Sequence, residues 1–212
     1  VLVESGEVKT RAFAHLFRAE PGNIVERIVR YHEQHGGIVR FEKFRTMYRE
    51  ILQRPLSPEQ FQALCDGFAA LVVDEVVAAP WVAGAEEFVR QQAGRYAFFM
   101  ISGTPEPELR EIVRRRGMTP CFAEILGAPE SKPRWLAHVL RRHQLQADEL
   151  VFVGDAQTDW EAALEGRDAQ IEVEGHWECH GPPGCRQGGG TEAGPAASGV
   201  KPGSGAARCV GA

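Results

Sequence analysis

Apolar residues recur at helical spacing through the first third of the chain. Val8, Phe13, Leu16 and Phe17 form one set, and Ile24, Ile28 and Tyr31 a second. Phe41, Phe44, Met47, Tyr48 and Ile51 form a third, and Phe61, Leu64, Phe68, Leu71 and Val72 a fourth. Pro21-Gly22-Asn23, Gly36-Gly37 and Pro55-Leu56-Ser57-Pro58 mark the breaks between them. Ser57 has the place of an N-cap, with Pro58 at the first helical position and Gln60 completing a capping box. Four short amphipathic helices joined by short loops predict a small helical bundle over residues 5–78.

From residue 79 the rhythm changes. The run Tyr96-Ala97-Phe98-Phe99-Met100-Ile101 is apolar throughout, as a strand buried on both faces must be. Helical spacing over 84–93, 105–116, 132–143 and 158–165 alternates with this strand, a short one near 123–126 and a third at 150–153. Strands alternating with helices predict an α/β unit over residues 79–170, built on a parallel sheet with right-handed crossovers. Beyond about residue 171 periodicity disappears, and Gly and Pro supply about two in five residues. Such a segment buries too little surface to offset the entropy of ordering, so disorder is expected over 171–212. Ile171-Glu172-Val173 is a thin imitation of a strand. A shifted reading frame or misjudged gene boundary would produce a tail of this kind.

Charge and composition narrow the picture. The formal net charge of −5 argues against a nucleic-acid partner, which selects a basic face. No apolar run approaches the roughly 18 residues of a membrane span. The N-terminus lacks the basic start and apolar stretch of a signal peptide, and five cysteines follow no disulfide spacing. A reduced, cytoplasmic protein is expected, as a monomer or weak homodimer. The first residue is not Met, so the chain is expected to begin inside a longer protein. His176, Cys179, His180 and Cys185 match no standard zinc spacing.

Three places put polar groups after predicted strands, at the sheet edge where ligands bind in open parallel sheets. In Ile101-Ser102-Gly103-Thr104-Pro105, Ser102 ends the buried strand and Gly103 permits close approach of a ligand. Thr104 is placed to cap a helix begun by Pro105 and ended by Gly117. A hydroxyl beside free N–H groups at a helix start suits a phosphate, although many ordinary helix caps have this composition. In Glu130-Ser131-Lys132-Pro133, the charge of Lys132 opposes the helix dipole; an anionic ligand would explain it, and a solvated lysine is the plain alternative. In Val153-Gly154-Asp155-Ala156-Gln157-Thr158-Asp159, two carboxylates four residues apart follow a buried strand. They suit Mg²⁺, or else form a turn and an N-cap.

Taken in order, the three segments resemble the second, third and fourth motifs of the haloacid dehalogenase superfamily of phosphohydrolases. The helical block stands where one branch, which includes phosphoglycolate phosphatases and phosphomutases, inserts a helical cap. Pro80-Trp81-Val82-Ala83-Gly84 resembles that branch's return from cap to core. The resemblance implies a Rossmann-like core using Mg²⁺ on a small phosphorylated metabolite, through an aspartyl-phosphate. It implies phosphate binding by Ser102, Gly103 and Lys132, with Ser102 and Lys132 serving catalysis, and metal binding by Asp155 and Asp159. The family's first motif, Asp-x-Asp-Gly, supplies the nucleophile and the general acid/base. Val1-Leu2-Val3-Glu4-Ser5 resembles the stretch just after it, so residues 1–4 are a remnant of the core, with Glu4 and Ser5 near the hinge. The nucleophile and the central first strand are expected to be absent from this fragment. Loss of that strand would leave its neighbours unpaired and the protein poorly soluble. A non-catalytic pseudoenzyme and a phosphomutase are the alternatives to a hydrolase. His32, His35, Arg40, Lys43 and Arg45, around Gly36-Gly37, are candidates to read the leaving group, or else form a solvated helix face.

Overall fold

The computed structural model describes residues 1–165, 170–172 and 207–211. The helical block contains α1 (Gly6–Leu16), α2 (Gly22–Gln34), α3 (Arg40–Thr46) and α4 (Pro58–Ala78). α3 runs on into a π-helical stretch, Met47–Leu52, that stops at Gln53 in a left-handed conformation. Ser57 and Gln60 form the expected capping box, with Gln60 N–H donating to Ser57 Oγ at 3.2 Å and Ser57 N–H to Gln60 Oε1 at 3.1 Å. From that start α4 runs for 21 residues, longer than the short helix its apolar set predicts. The apolar faces meet around Phe13, which packs on Phe68 at 4.9 Å and Phe44 at 5.5 Å between ring centroids. Phe17, Ile28, Met47, Val72 and Val76 complete this core.

The second unit begins with α5 (Ala85–Gln92), β1 (Ala97–Pro105) and α6 (Glu106–Arg115). It continues through β2 (Glu124–Ala128), α7 (Lys132–His143), β3 (Leu150–Val153), α8 (Gln157–Glu165), β4 (Gln170–Glu172) and β5 (Ala207–Gly211). The five strands form one sheet in the order β2-β1-β5-β3-β4, and every neighbouring pair is parallel. Its two faces account for the unbroken apolar run of β1. Phe99 and Ile101 pack with Leu126, Leu136, Val139 and Phe152, whereas Phe98 and Met100 pack with Leu109, Val113 and Phe122. Both faces are thus shielded from water, and alternation disappears from the sequence.

Three expectations are corrected. The middle of the sheet is not open: β5 stands between β1 and β3, with Gly211 level with Ile101 and Val210 level with Val153. The neighbours' backbone groups are paired there, which removes the stated reason for poor solubility. β4 and β5 also lie within or at the edge of the stretch expected to be disordered. Thr104 belongs to β1, and Pro105 occupies the N-cap of α6, so Thr104 does not cap that helix.

Two chain crossings join the units. Val3 bridges Trp81 in antiparallel fashion, Glu4 N–H donates to Pro80 O at 3.0 Å, and Val82 N–H donates to Leu2 O at 2.9 Å. Arg116 secures the crossing: its Nη1 donates to the carbonyls of Val76, Val77 and Ala79, and its guanidinium lies 4.0 Å from the Trp81 ring centroid. Among the described residues no helix is long and apolar enough to cross a membrane. The Cys and His residues at 176–185 lie outside the described residues.

Candidate active site

The carboxyl edge of the sheet gathers the three predicted segments. Ser102, near the end of β1, is buried, and its Oγ accepts the Thr104 N–H at 3.1 Å. Lys132 opens α7 with only 8% of its surface exposed. Its Nζ lies 2.7 Å from Asp159 Oδ1 and donates to Thr158 Oγ1 at 3.3 Å. Asp159 is 3% exposed, and its Oδ2 accepts the Ala156 N–H at 3.1 Å. The carboxylate therefore turns the chain into α8 and neutralises Lys132 at the same time. This partner, 27 residues downstream, explains a cation at the unfavourable end of a helix dipole. A Cβ on Gly154 would come within 2.3 Å of Asp159 Cβ, so glycine lets the turn close tightly.

Asp155 differs from Asp159. Its side chain is 51% exposed, and it pairs with the Val1 α-ammonium. Ser102, Gly103, Lys132, Gly154 and Asp155 line one cavity of about 760 Å³. Asp159 stands behind Lys132, with both oxygens engaged by protein donors. Among the described residues no three His, Cys, Asp or Glu side chains are grouped to hold a metal.

The helical block forms the opposite wall. Gly37 is in a left-handed conformation (φ 78°), and a Cβ there would lie 2.0 Å from Thr158 Oγ1 and 2.8 Å from Ala156 Cβ. A Cβ on Gly103 would meet the Gly37 carbonyl at 3.1 Å. The Gly36-Gly37 tip thus rests directly on the sheet edge. Arg40 fastens it through a two-pronged pair with Glu108 of α6, in which Nη1 donates to Oε2 at 2.8 Å. Of the five leaving-group candidates, His32, Arg40 and Lys43 line the cavity. His35 bonds Tyr31 O at 2.7 Å through Nδ1 and stacks on the Tyr31 ring, while Arg45 lies over Phe61. Lys9 of α1 also lines the cavity. Nothing in its sequence context separates it from a solvated helix lysine.

These cations crowd one another. Burial, aided by Lys9, pushes Lys43 down to about 7. Burial and then Lys43 and Lys9 push His32 down to about 3, so the imidazole is neutral. Lys9 is also lowered, by burial first and then by Lys132, against an opposing pull from Asp155. Because the folded-state pKa of Lys43 lies below its unfolded value, the unfolded chain binds more protons between about pH 7 and 10.5. The cost of burying this charge is present in full below pH 7 and declines as pH rises through that interval. Lys43→Met is therefore expected to raise Tm by several degrees at pH 6.5, with a smaller gain at pH 9.5. An equal gain at both pH values in thermal melts would contradict this.

Residues 1–166 match the family model of haloacid dehalogenase-like hydrolases. Over 77 residues, 34% of this chain, the sequence is 32% identical to a phosphoglycolate phosphatase of Vibrio parahaemolyticus; the match spans about a third (33%) of that relative's length. A predicted phosphoglycolate phosphatase from Haemophilus somnus has a similar fold, with a TM-score of 0.61, 17% identity, and 81% of this chain and 79% of that one covered. YfnB from Bacillus subtilis, a hydrolase described as bound to magnesium, gives a TM-score of 0.57 at 15% identity, covering 80% and 82% of the two chains. At such identities the structures speak for the fold, and the family model, which extends over most of the chain, speaks for descent: the chain belongs to the haloacid dehalogenase-like hydrolases.

Proposed function

We propose that this chain carries the phosphate-binding half of a Mg²⁺-dependent phosphatase for small phosphate monoesters. One observation supports this above the others: Ser102, Lys132 and Asp155, far apart in sequence, line a single cavity at the carboxyl edge of a parallel sheet. In this reading the Ser102 hydroxyl and the Gly103 N–H donate to phosphoryl oxygens, and Lys132 offsets their charge. Asp159 holds Lys132 in place through the 2.7 Å contact. The helical bundle acts as a cap, with its Gly37 tip excluding water from the cavity.

The residues present fit part of a Mg²⁺ site. Asp155 is a half-exposed carboxylate that lines the cavity. Mg²⁺ typically takes one or two carboxylates together with waters and substrate phosphate. Bound there, the ion would withdraw charge from the phosphoryl oxygens as a Lewis acid. Asp159 contributes through Lys132 in this arrangement, since protein donors occupy both its oxygens.

The aspartyl-phosphate route needs a nucleophilic Asp and a second Asp to protonate the leaving oxygen. No Asp-x-Asp pair occurs in the 212 residues. By resemblance it would end the strand that lies between β1 and β3, where β5 stands in this structure. The chain as written is expected to release no phosphate from simple monoesters. A form carrying a strand and Asp-x-Asp-Gly ahead of Val1 is expected to do so with Mg²⁺, and to lose about 10²-fold or more on Asp155→Asn. Turnover by the chain as written, in a colorimetric phosphate assay, would contradict this account. The position of β5 favours a second reading, a non-catalytic member of the family that keeps the anion cavity; phosphate binding without turnover in either form would support it.

A further inference from the structure

We propose that β5 is a displaceable strand, and that the slot it fills between β1 and β3 is a docking site for an extended apolar segment of another polypeptide, added parallel to both neighbours. The inference concerns strand pairing and stands apart from whether the cavity binds phosphate.

The slot has apolar neighbours on both sides. Phe98, Phe99, Met100 and Ile101 of β1 are each 5% exposed or less, and Leu150 and Phe152 of β3 are 1% exposed. Successive residues of β1 serve opposite faces of the sheet, Phe99 and Ile101 one, Phe98 and Met100 the other, and each face carries its own apolar cluster. A strand lying between such neighbours is covered on both faces and reads as a continuous apolar run, as β1 does.

β5 does not read that way. Its sequence is Ala207-Arg208-Cys209-Val210-Gly211, with Val210 its one β-branched residue. Arg208 stands level with Phe98 on one side and Val151 on the other, so no carboxylate is in register with it on either neighbour. Gly211 stands level with Ile101 and brings no side chain to pack. Ala and Gly rank low among strand formers, and Arg is almost never buried unless paired. Residues 173–206 separate β5 from β4, and 14 of these 34 are Gly or Pro. Docking of β5 must close that loop against its entropy.

What holds β5 is the backbone, through parallel ladders that register five of its residues with β1 and four with β3. Main-chain pairing is open to any extended segment, whereas side chains set the preference. The slot therefore favours a segment with β-branched or aromatic residues at successive positions and no charge level with Phe98. In the register of β5 such a segment ends beside Ile101 and Val153, the residues that precede Ser102 and Gly154. The occupant of the slot thus decides which backbone reaches the edge of the anion cavity.

The test uses the chain as written and two short peptides, one carrying Val-Ile-Phe-Val-Ile and one the β5 sequence, each flanked by lysine pairs for solubility. Amide hydrogen exchange, read by mass spectrometry, follows 207–211 together with 97–101 and 150–153. The apolar peptide is expected to speed exchange over 207–211 about tenfold or more, while 97–101 and 150–153 keep their protection. The β5-sequence peptide should need about tenfold more for the same effect. Arg208→Val suits β5 to the slot and should weaken the apolar peptide about tenfold. Val210→Pro takes a donor from the ladder and should strengthen that peptide about fivefold. Binding that leaves exchange over 207–211 unchanged would place the peptide elsewhere and overturn the proposal. So would equal affinity for the two peptides, an affinity indifferent to both variants, or no binding even to Val210→Pro.

Discussion

Lys132→Met is expected to lower the melting temperature by roughly 6–20 °C and to abolish phosphate binding. The pair it breaks is buried on both sides, at 8% and 3% exposure. Removing one member leaves Asp159 charged and surrounded by protein, a loss of about 3–5 kcal/mol. In a domain of this size each kcal/mol moves Tm by about 2–4 °C. The same lysine is placed to meet the phosphate, so affinity should vanish together with stability. A double variant, Lys132→Met with Asp159→Leu, separates the two effects. Replacing a whole buried pair with apolar groups is often neutral or stabilising. Melting temperature should therefore return in the double variant while phosphate binding does not. Unaltered melting of Lys132→Met alone would show that the pair is not the buried contact described.

Gly37→Ala is expected to lift the tip of the bundle from the sheet edge. The left-handed backbone disfavours any side chain by about 1–2 kcal/mol. The added carbon would also overlap Thr158 Oγ1 at 2.0 Å and press on Ala156 at 2.8 Å. The tip must move, and the Arg40–Glu108 pair that fastens it must part. Amides at 102–104 and 156–158 should then exchange with solvent about tenfold faster, and phosphate affinity should fall. Gly36→Ala is the control, because nothing lies within 4 Å of its added carbon. Equal exchange in both variants would mean that the bundle does not seal the cavity.

Both effects depend on contacts that the sequence shows only in part. α7 over 132–143 and β3 over 150–153 were legible to the residue, because caps and apolar spacing act locally. Ser57 and Gln60 announced the start of α4 in the same way. Lys132 could be seen as a cation needing an anion, but Asp159 lay too far along the chain to be recognised as that anion. Asp159 was legible as a carboxylate suited to a metal, but not as the partner of Lys132 and the Ala156 N–H that its oxygens engage. Lys9 was invisible because only the packing of α1 on α2 and α4 brings it to the cavity that Lys132 also lines. β5 was invisible for a similar reason. Residues 207–211 follow a long Gly/Pro-rich stretch, and only pairing with β1 and β3 makes them a strand. Thr104 carried a capping residue's identity, yet β1 extended through it.

The central claim is that Ser102 and Lys132 grip one oxyanion beside Asp155. A crystal of the protein soaked in tungstate locates such an ion directly by its anomalous signal. The account predicts one strong peak within hydrogen-bonding reach of both Ser102 Oγ and Lys132 Nζ, lost in Ser102→Ala. Peaks confined to other surfaces, with those two groups facing solvent apart from each other, would contradict it.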